Sequence, residues 1–169
     1  MAVKSSVLLE ELNKKIEDFE DSLVVLEVKR EDIDDVLLGE IEIKVVNSYI
    51  DTIKEVLEKY GIQCKHLKGS YKVVVLDEKK HKEIRDQEYT LYFFVPHDQI
   101  EIDEKEHGRF RISRSEGGVI IECIIKTYRH FIDDGIIHLI VTKRLLEELK
   151  EILKVEKVRP FFRKFFYPV

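Results

Sequence analysis

Residues 31–46 read Glu-Asp-Ile-Asp-Asp-Val-Leu-Leu-Gly-Glu-Ile-Glu-Ile-Lys-Val-Val, and the way they fold decides what the rest of the chain builds. Across residues 40–46 charged and aliphatic side chains alternate with period two, which predicts a strand with Ile41, Ile43 and Val45 facing inward. Residues 31–38 leave two alternatives open. Ile33, Val36 and Leu37 fit a helical turn ended by Gly39, and they fit equally a strand that turns at Leu38-Gly39.

Upstream of this stretch, Leu8, Leu12, Ile16 and Phe19 form a helical stripe, with Ser6 as N-cap and Glu10 and Glu11 in the first turn. Residues 23–28 (LVVLEV) are too short and too β-branched for a helix and read as a buried strand. Downstream, Ser48 and Asp51 make a variant capping box for a helix carrying Ile50, Ile53, Leu57 and Tyr60, which Gly61 stops. Strands follow at residues 71–76, 89–95, 109–113, 119–128 and 136–141. Ser115-Glu116-Gly117-Gly118 is a hairpin loop signal between two of them. The charge-dense segments 77–88 and 98–107 read as turns, with Ile100 and Ile102 alternating with charges as a short edge strand. Thr142 caps a last helix carrying Leu145, Leu146, Leu149, Ile152 and Leu153. This pattern predicts an α+β fold, an antiparallel or mixed β-sheet packed by about three helices in a single domain.

The chain has 169 residues, 44% of them hydrophobic, which suits one core and excludes wholesale disorder. Its formal net charge of -5 makes it a poor polyanion binder as a whole, so nucleic-acid contact requires a local patch. A charged fraction of 37%, with two Asn, three Gln and one Met, matches the profile of hyperthermophile proteins. Cys64 and Cys123 lie in no metal or redox spacing, which points to a reducing compartment. No apolar run approaches the ~18 residues of a membrane span, so a cytoplasmic protein with no membrane partner is expected. Repeats and low-complexity tracts are absent, and 7 Gly and 3 Pro give no linker.

Glycine-rich nucleotide loops and a nucleophile elbow are missing. The six histidines, His66, His81, His97, His107, His130 and His138, show no i,i+4 pair and no cysteine partner, so neither a metal site nor a cofactor is expected from them. One acidic constellation offers catalysis. If Leu38-Gly39 turns tightly, Asp35 falls opposite Glu42 with Lys44 on the same face, and two carboxylates there could hold Mg²⁺ while the lysine supports a hydrolytic water. A helix, three strands, a helix and a strand carrying these residues resemble the core of the PD-(D/E)xK nucleases. The resemblance implies a Mg-dependent nuclease with Asp35, Glu42 and Lys44 as its catalytic motif and Glu11 as the acid of the first helix.

Two basic features address binding. In residues 109–114 (RFRISR) alternation displays Arg109 and Arg111 on one face, and Lys126 and Arg129 on a neighbouring strand extend a candidate phosphate-contact patch. The alternative is a wet sheet face neutralised by local carboxylates such as Glu122. Residues 157–169 (KVRPFFRKFFYPV) are basic and aromatic in an otherwise acidic chain and hold four of its nine phenylalanines. They read as a tail beyond a globular domain of residues 1–156. Residues 159–166 resemble the sliding-clamp docking motif, with Phe162 as the plug, Phe165-Phe166 as the aromatic pair and Arg159 in the place of the usual Gln. Arg159, Phe162, Arg163, Lys164, Phe165 and Phe166 are therefore the expected partner-binding residues. Taken together, the sequence predicts a non-catalytic interaction protein that docks to a protein or a nucleic acid through this tail, in a replication or repair setting. A metal-dependent nuclease and a structural homodimer exchanging tails are the alternatives.

Overall fold

In the computed structural model, which describes residues 2–77 and 82–168, the chain runs β1 (Val3–Lys4), α1 (Ser5–Asp21), β2 (Leu23–Lys29), a 3-10 turn (Arg30–Asp32) and α2 (Asp35–Lys59). It continues through β3 (Lys65–Asp77), β4 (Glu83–Pro96), a second 3-10 turn (His97–Gln99), β5 (Ile100–Glu101), β6 (Glu106–His107), β7 (Phe110–Ser115) and β8 (Gly118–Phe131). The last elements are β9 (Ile136–Thr142), α3 (Lys143–Leu149), β10 (Lys157–Pro160) and α4 (Arg163–Phe166). The architecture is α+β, a large antiparallel sheet with helices. Strand order is β10-β2-β9-β8-β4-β3, with β7 on β8 and β6 on β7, while β1 and β5 form a separate parallel pair. Among the described residues, no helix is long and apolar enough to cross a membrane.

The strand expected at residues 40–46 is helix instead. Leu38, Ile41, Glu42, Val45, Val46, Tyr49, Ile50 and Ile53 are all buried, a stripe of period 3.6 that continues unbroken into the helix foreseen from Ser48. Ile43, inward in the strand reading, is 55% exposed. Asp34 starts the helix, its carboxylate accepting the Leu37 N–H at 2.7 Å. Gly61, with φ +69, ends it, and the Ile62 N–H reaches back to the Leu57 carbonyl at 3.0 Å. A turn was expected at residues 77–88. Residues 78–81 lie outside the described residues, and the flanks are strand.

The contacts divide the chain into two compact units. The first comprises Met1–Phe19, Ser48–Ser70 and Tyr89–Ile125, and the second Glu20–Asn47, Tyr71–Glu88 and Lys126–Val169. In the first, α1 buries Leu8, Leu12 and Ile16, and alternate residues Leu91, Phe93 and Val95 of β4, and Val119, Ile121, Cys123 and Ile125 of β8, are buried as well. Burial of each such side chain contributes about 1.5–3 kcal/mol. The β7–β8 hairpin closes at Ser115↔Gly118 with Gly117 at φ +80, as its sequence predicts.

In the second unit β2 lies between β9 and β10, and Leu23, Val24, Val25, Leu26 and Val28 are all buried. It pairs with β9 from Leu23↔Thr142 to Lys29↔Ile136. Thr142 caps α3, its hydroxyl accepting the Leu145 N–H at 3.1 Å. On the other side of β2 lies β10, with Lys157↔Glu27 through Pro160↔Val24. The second unit thus takes in the C-terminal residues without a break at 157. Pro160 is accommodated because it ends an edge strand, where its missing N–H interrupts no ladder.

Candidate functional site

The site is built where the C-terminal residues meet the sheet of the second unit. Strand register sets Lys157, Glu27, His138 and Arg129 in one row across β10, β2, β9 and β8. Arg129 is held from both ends. Its guanidinium donates to the Asp86 carboxylate at 2.6 and 2.8 Å and to the Phe165 carbonyl at 3.0 Å. The Phe165 and Phe166 rings lie against it, with centroids 4.5 and 5.2 Å from the guanidinium carbon. Lys126 donates its ammonium to Asp86 at 2.7 Å, and its backbone N–H donates to the Tyr167 hydroxyl at 2.5 Å.

Asp86 itself is fully buried. One carboxylate with two cations satisfies its lone pairs, which is the condition under which a buried charge is tolerated. Phe166 is also fully buried and stacks on Phe161 at 5.3 Å. Arg163 is within 3.3 Å of the buried Glu20 carboxylate and 3.2 Å of Asp21. Residues 161–167 are thereby tied to the second unit by aromatic packing, a buried ion cluster and backbone hydrogen bonds together.

The segment also presents a surface. Phe162 is 64% exposed and Phe165 43%. With Val25, His138 and Pro160 they line a small apolar pocket of about 110 Å3, and Arg159 stands at its rim, 3.2 Å from Glu27. Burial holds the pKa of His138 below its usual value, favouring the neutral ring, which stacks on Phe165 at 5.9 Å.

The six residues expected to contact a partner therefore separate by role. Phe162 and Phe165 face the pocket from exposed positions, Phe166 lines it from the core, Lys164 is exposed, and Arg159 and Arg163 are ion-paired. The clamp-like reading needs Phe165 and Phe166 available side by side, and in this conformation Phe166 is enclosed.

Asp35, Glu42 and Lys44 do not form the cross-strand constellation, because all three lie on α2. Seven residues of helix place Asp35 about 10 Å along the axis from Glu42. Asp35 is ion-paired to Arg30, and Lys44 is 3.4 Å from Glu148. Glu42 is buried and accepts the Thr127 hydroxyl at 2.7 Å, and burial raises its pKa despite that bond. Glu11 accepts from Lys59 and Tyr60, which hold its pKa low. Among the described residues, no group of three or more His, Cys, Asp or Glu is arranged to hold a metal ion.

Of the four candidate phosphate contacts, Lys126 and Arg129 are buried on Asp86. Arg111 sits in register between Glu106 and Glu122, with ion-pair distances of 3.7 and 3.9 Å. The Arg109 backbone N–H donates to Asn13 at 3.2 Å. Asp86, Glu20, His138 and Tyr167 are the site residues that sequence reasoning missed. A signal for Asp86 existed, since Lys126 and Arg129 interrupt an aliphatic strand and require a buried acid.

Fold and site together define an α+β protein with a folded aromatic-basic C-terminal surface. No family model, curated protein or solved structure matches the chain.

Proposed function

We propose that this is a non-catalytic binding protein whose C-terminal residues, in their folded state, receive an acidic protein segment anchored by one apolar side chain. The observation that carries this reading is the pocket of about 110 Å3 bounded by the exposed Phe162 and Phe165. That volume suits a single aliphatic or aromatic side chain, and exposed aromatic rings around a small pocket are the usual form of an interface anchor. Charge supports an acidic partner: residues 157–169 hold no acid, and beside the ion-paired Arg159 and Arg163 they expose Lys157 and Lys164. In this reading the partner docks onto a folded platform, as opposed to the platform unfolding to enter a clamp. Composition supports a hot, reducing cytoplasm as the setting.

Selection from a random peptide display library tests it. Enriched peptides are expected to carry an aromatic or long aliphatic residue flanked by Asp or Glu. Phe162→Ala and Lys164→Glu should each lower capture of those peptides at least tenfold without moving the melting temperature. Absence of enrichment, or capture indifferent to both substitutions, would overturn the proposal.

A further inference from the structure

A second concavity of the same unit is a groove of about 560 Å3, which has Asp86 in common with the base of the C-terminal platform. Its wall is formed by alternate residues of three strands: Val73 and Val75 from β3, Arg85 and Gln87 from β4, Tyr128 and His130 from β8. Alternation puts each pair on one sheet face. Arg30, from the 3-10 turn after β2, supplies a further cation. Val73 and Val75 are 53% and 57% exposed and form an apolar pair on the open face of β3.

Arg30 and Arg85 are the cations that line the groove. Asp86 also lines it, but Lys126 and Arg129 neutralise that carboxylate from within. Arg30 and Arg85 are held by Asp35 and Glu83 in solvent-exposed pairs, which a ligand anion can displace at little cost. Both guanidiniums act on the same ring: after burial, they are the causes that lower the pKa of His130, with Glu83 opposing. Two arginines and one imidazole thus line the groove beside an apolar wall. Burial and the Glu42 charge keep the Tyr128 phenol protonated, so it remains a hydrogen-bond donor.

We infer that this groove binds a phosphate monoester carrying a flat apolar body, of the nucleoside monophosphate class, with the phosphate at Arg30, Arg85 and His130 and the body against Val73, Val75 and Tyr128. A monoester carries about -1.5 to -2 charges at neutral pH, matching two guanidiniums where a lone carboxylate does not. Arginine's planar fork suits phosphate oxygens. The volume falls in the ~300–1,000 Å3 range of small-ligand sites. The same chemistry could come from a free mononucleotide or from the 5′-phosphorylated end of a single strand.

Calorimetry with adenosine and uridine 5′-monophosphates, the uncharged nucleosides, inorganic phosphate and a 5′-phosphorylated oligonucleotide tests the inference, read beside an NMR titration of His130. A monophosphate is expected to bind more tightly than either its nucleoside or inorganic phosphate. Saturation should raise the His130 pKa, because the bound anion stabilises the imidazolium. Arg85→Ala should weaken binding about tenfold in a protein whose melting temperature is unchanged, and Arg30→Lys, which retains the charge, should weaken it less. Binding by the oligonucleotide together with the monophosphate supports a strand end as the source, and binding by the monophosphate alone supports the free nucleotide. Equal affinity for nucleoside and monophosphate, equal affinity for inorganic phosphate and monophosphate, an unmoved His130, or no binding by any probe would overturn the inference.

Discussion

Asp86 is a buried acid on which Lys126 and Arg129 of the second unit are both buried. Removing the acid strands two cations away from water, and breaking a buried pair in this way costs about 3–5 kcal/mol. Asp86→Ala is therefore expected to lose that much in urea denaturation, and a loss below about 1 kcal/mol would mean that the cluster is wet. Asp103 acts differently. It accepts the Ser6 hydroxyl and the Ser6 backbone N–H at 2.7 and 2.8 Å at the start of α1, and these bonds lower its pKa from 3.8 to about 2. A carboxylate whose folded pKa is depressed stabilises the fold above its unfolded pKa and loses that contribution as pH falls through the folded one. Acid unfolding followed from pH 5 to pH 2 should show wild type and Asp103→Asn converging as pH drops, and parallel curves would remove Asp103 from the account.

Helix α2 is the element in which local pattern and final structure part, and Gly39 measures the cost. A glycine in a helix interior is unfavourable relative to alanine by about 0.5–1 kcal/mol, and a Cβ built at Gly39 meets nothing within 4 Å. Gly39→Ala should raise stability by that amount in chemical denaturation, whereas a hairpin at Leu38-Gly39 would make the same change destabilising. The first half of this helix was illegible because Ile41 and Val45 satisfy both periods, being two positions apart twice over and also four apart. The exposed Ile43 and the buried Leu38, Glu42, Val46 and Tyr49 separate the readings, and a buried Glu is not what a hydrophobic pattern looks for. The remaining elements were legible where apolar periodicity was reinforced by a cap or a turn, as at Thr142 before α3 and Gly117 in the β7–β8 hairpin. Lys126 and Arg129 were illegible as buried residues for a related reason: both look exposed in sequence until the acid inside β4 is found.

At the scale of the molecule, the C-terminal residues mark the limit of sequence reading. Pro160 and the interleaved cations argue for a segment held apart from the fold, yet each objection has a local answer. Pro160 closes an edge strand, Arg163 finds Glu20 and Asp21, and Lys164 stays in solvent. None of those partners lies near in sequence, so no local pattern could announce them. Residues 161–167 complete the second unit and expose Phe162 and Phe165 from that folded position. Thermal melting of the chain truncated after Pro160 tests this most directly. Loss of the buried Phe161 and Phe166, at ~3–5 kcal/mol each, should lower the melting temperature on the order of 20 °C or abolish folding. An unchanged melting temperature would show the segment to be an independent appendage and would contradict the account.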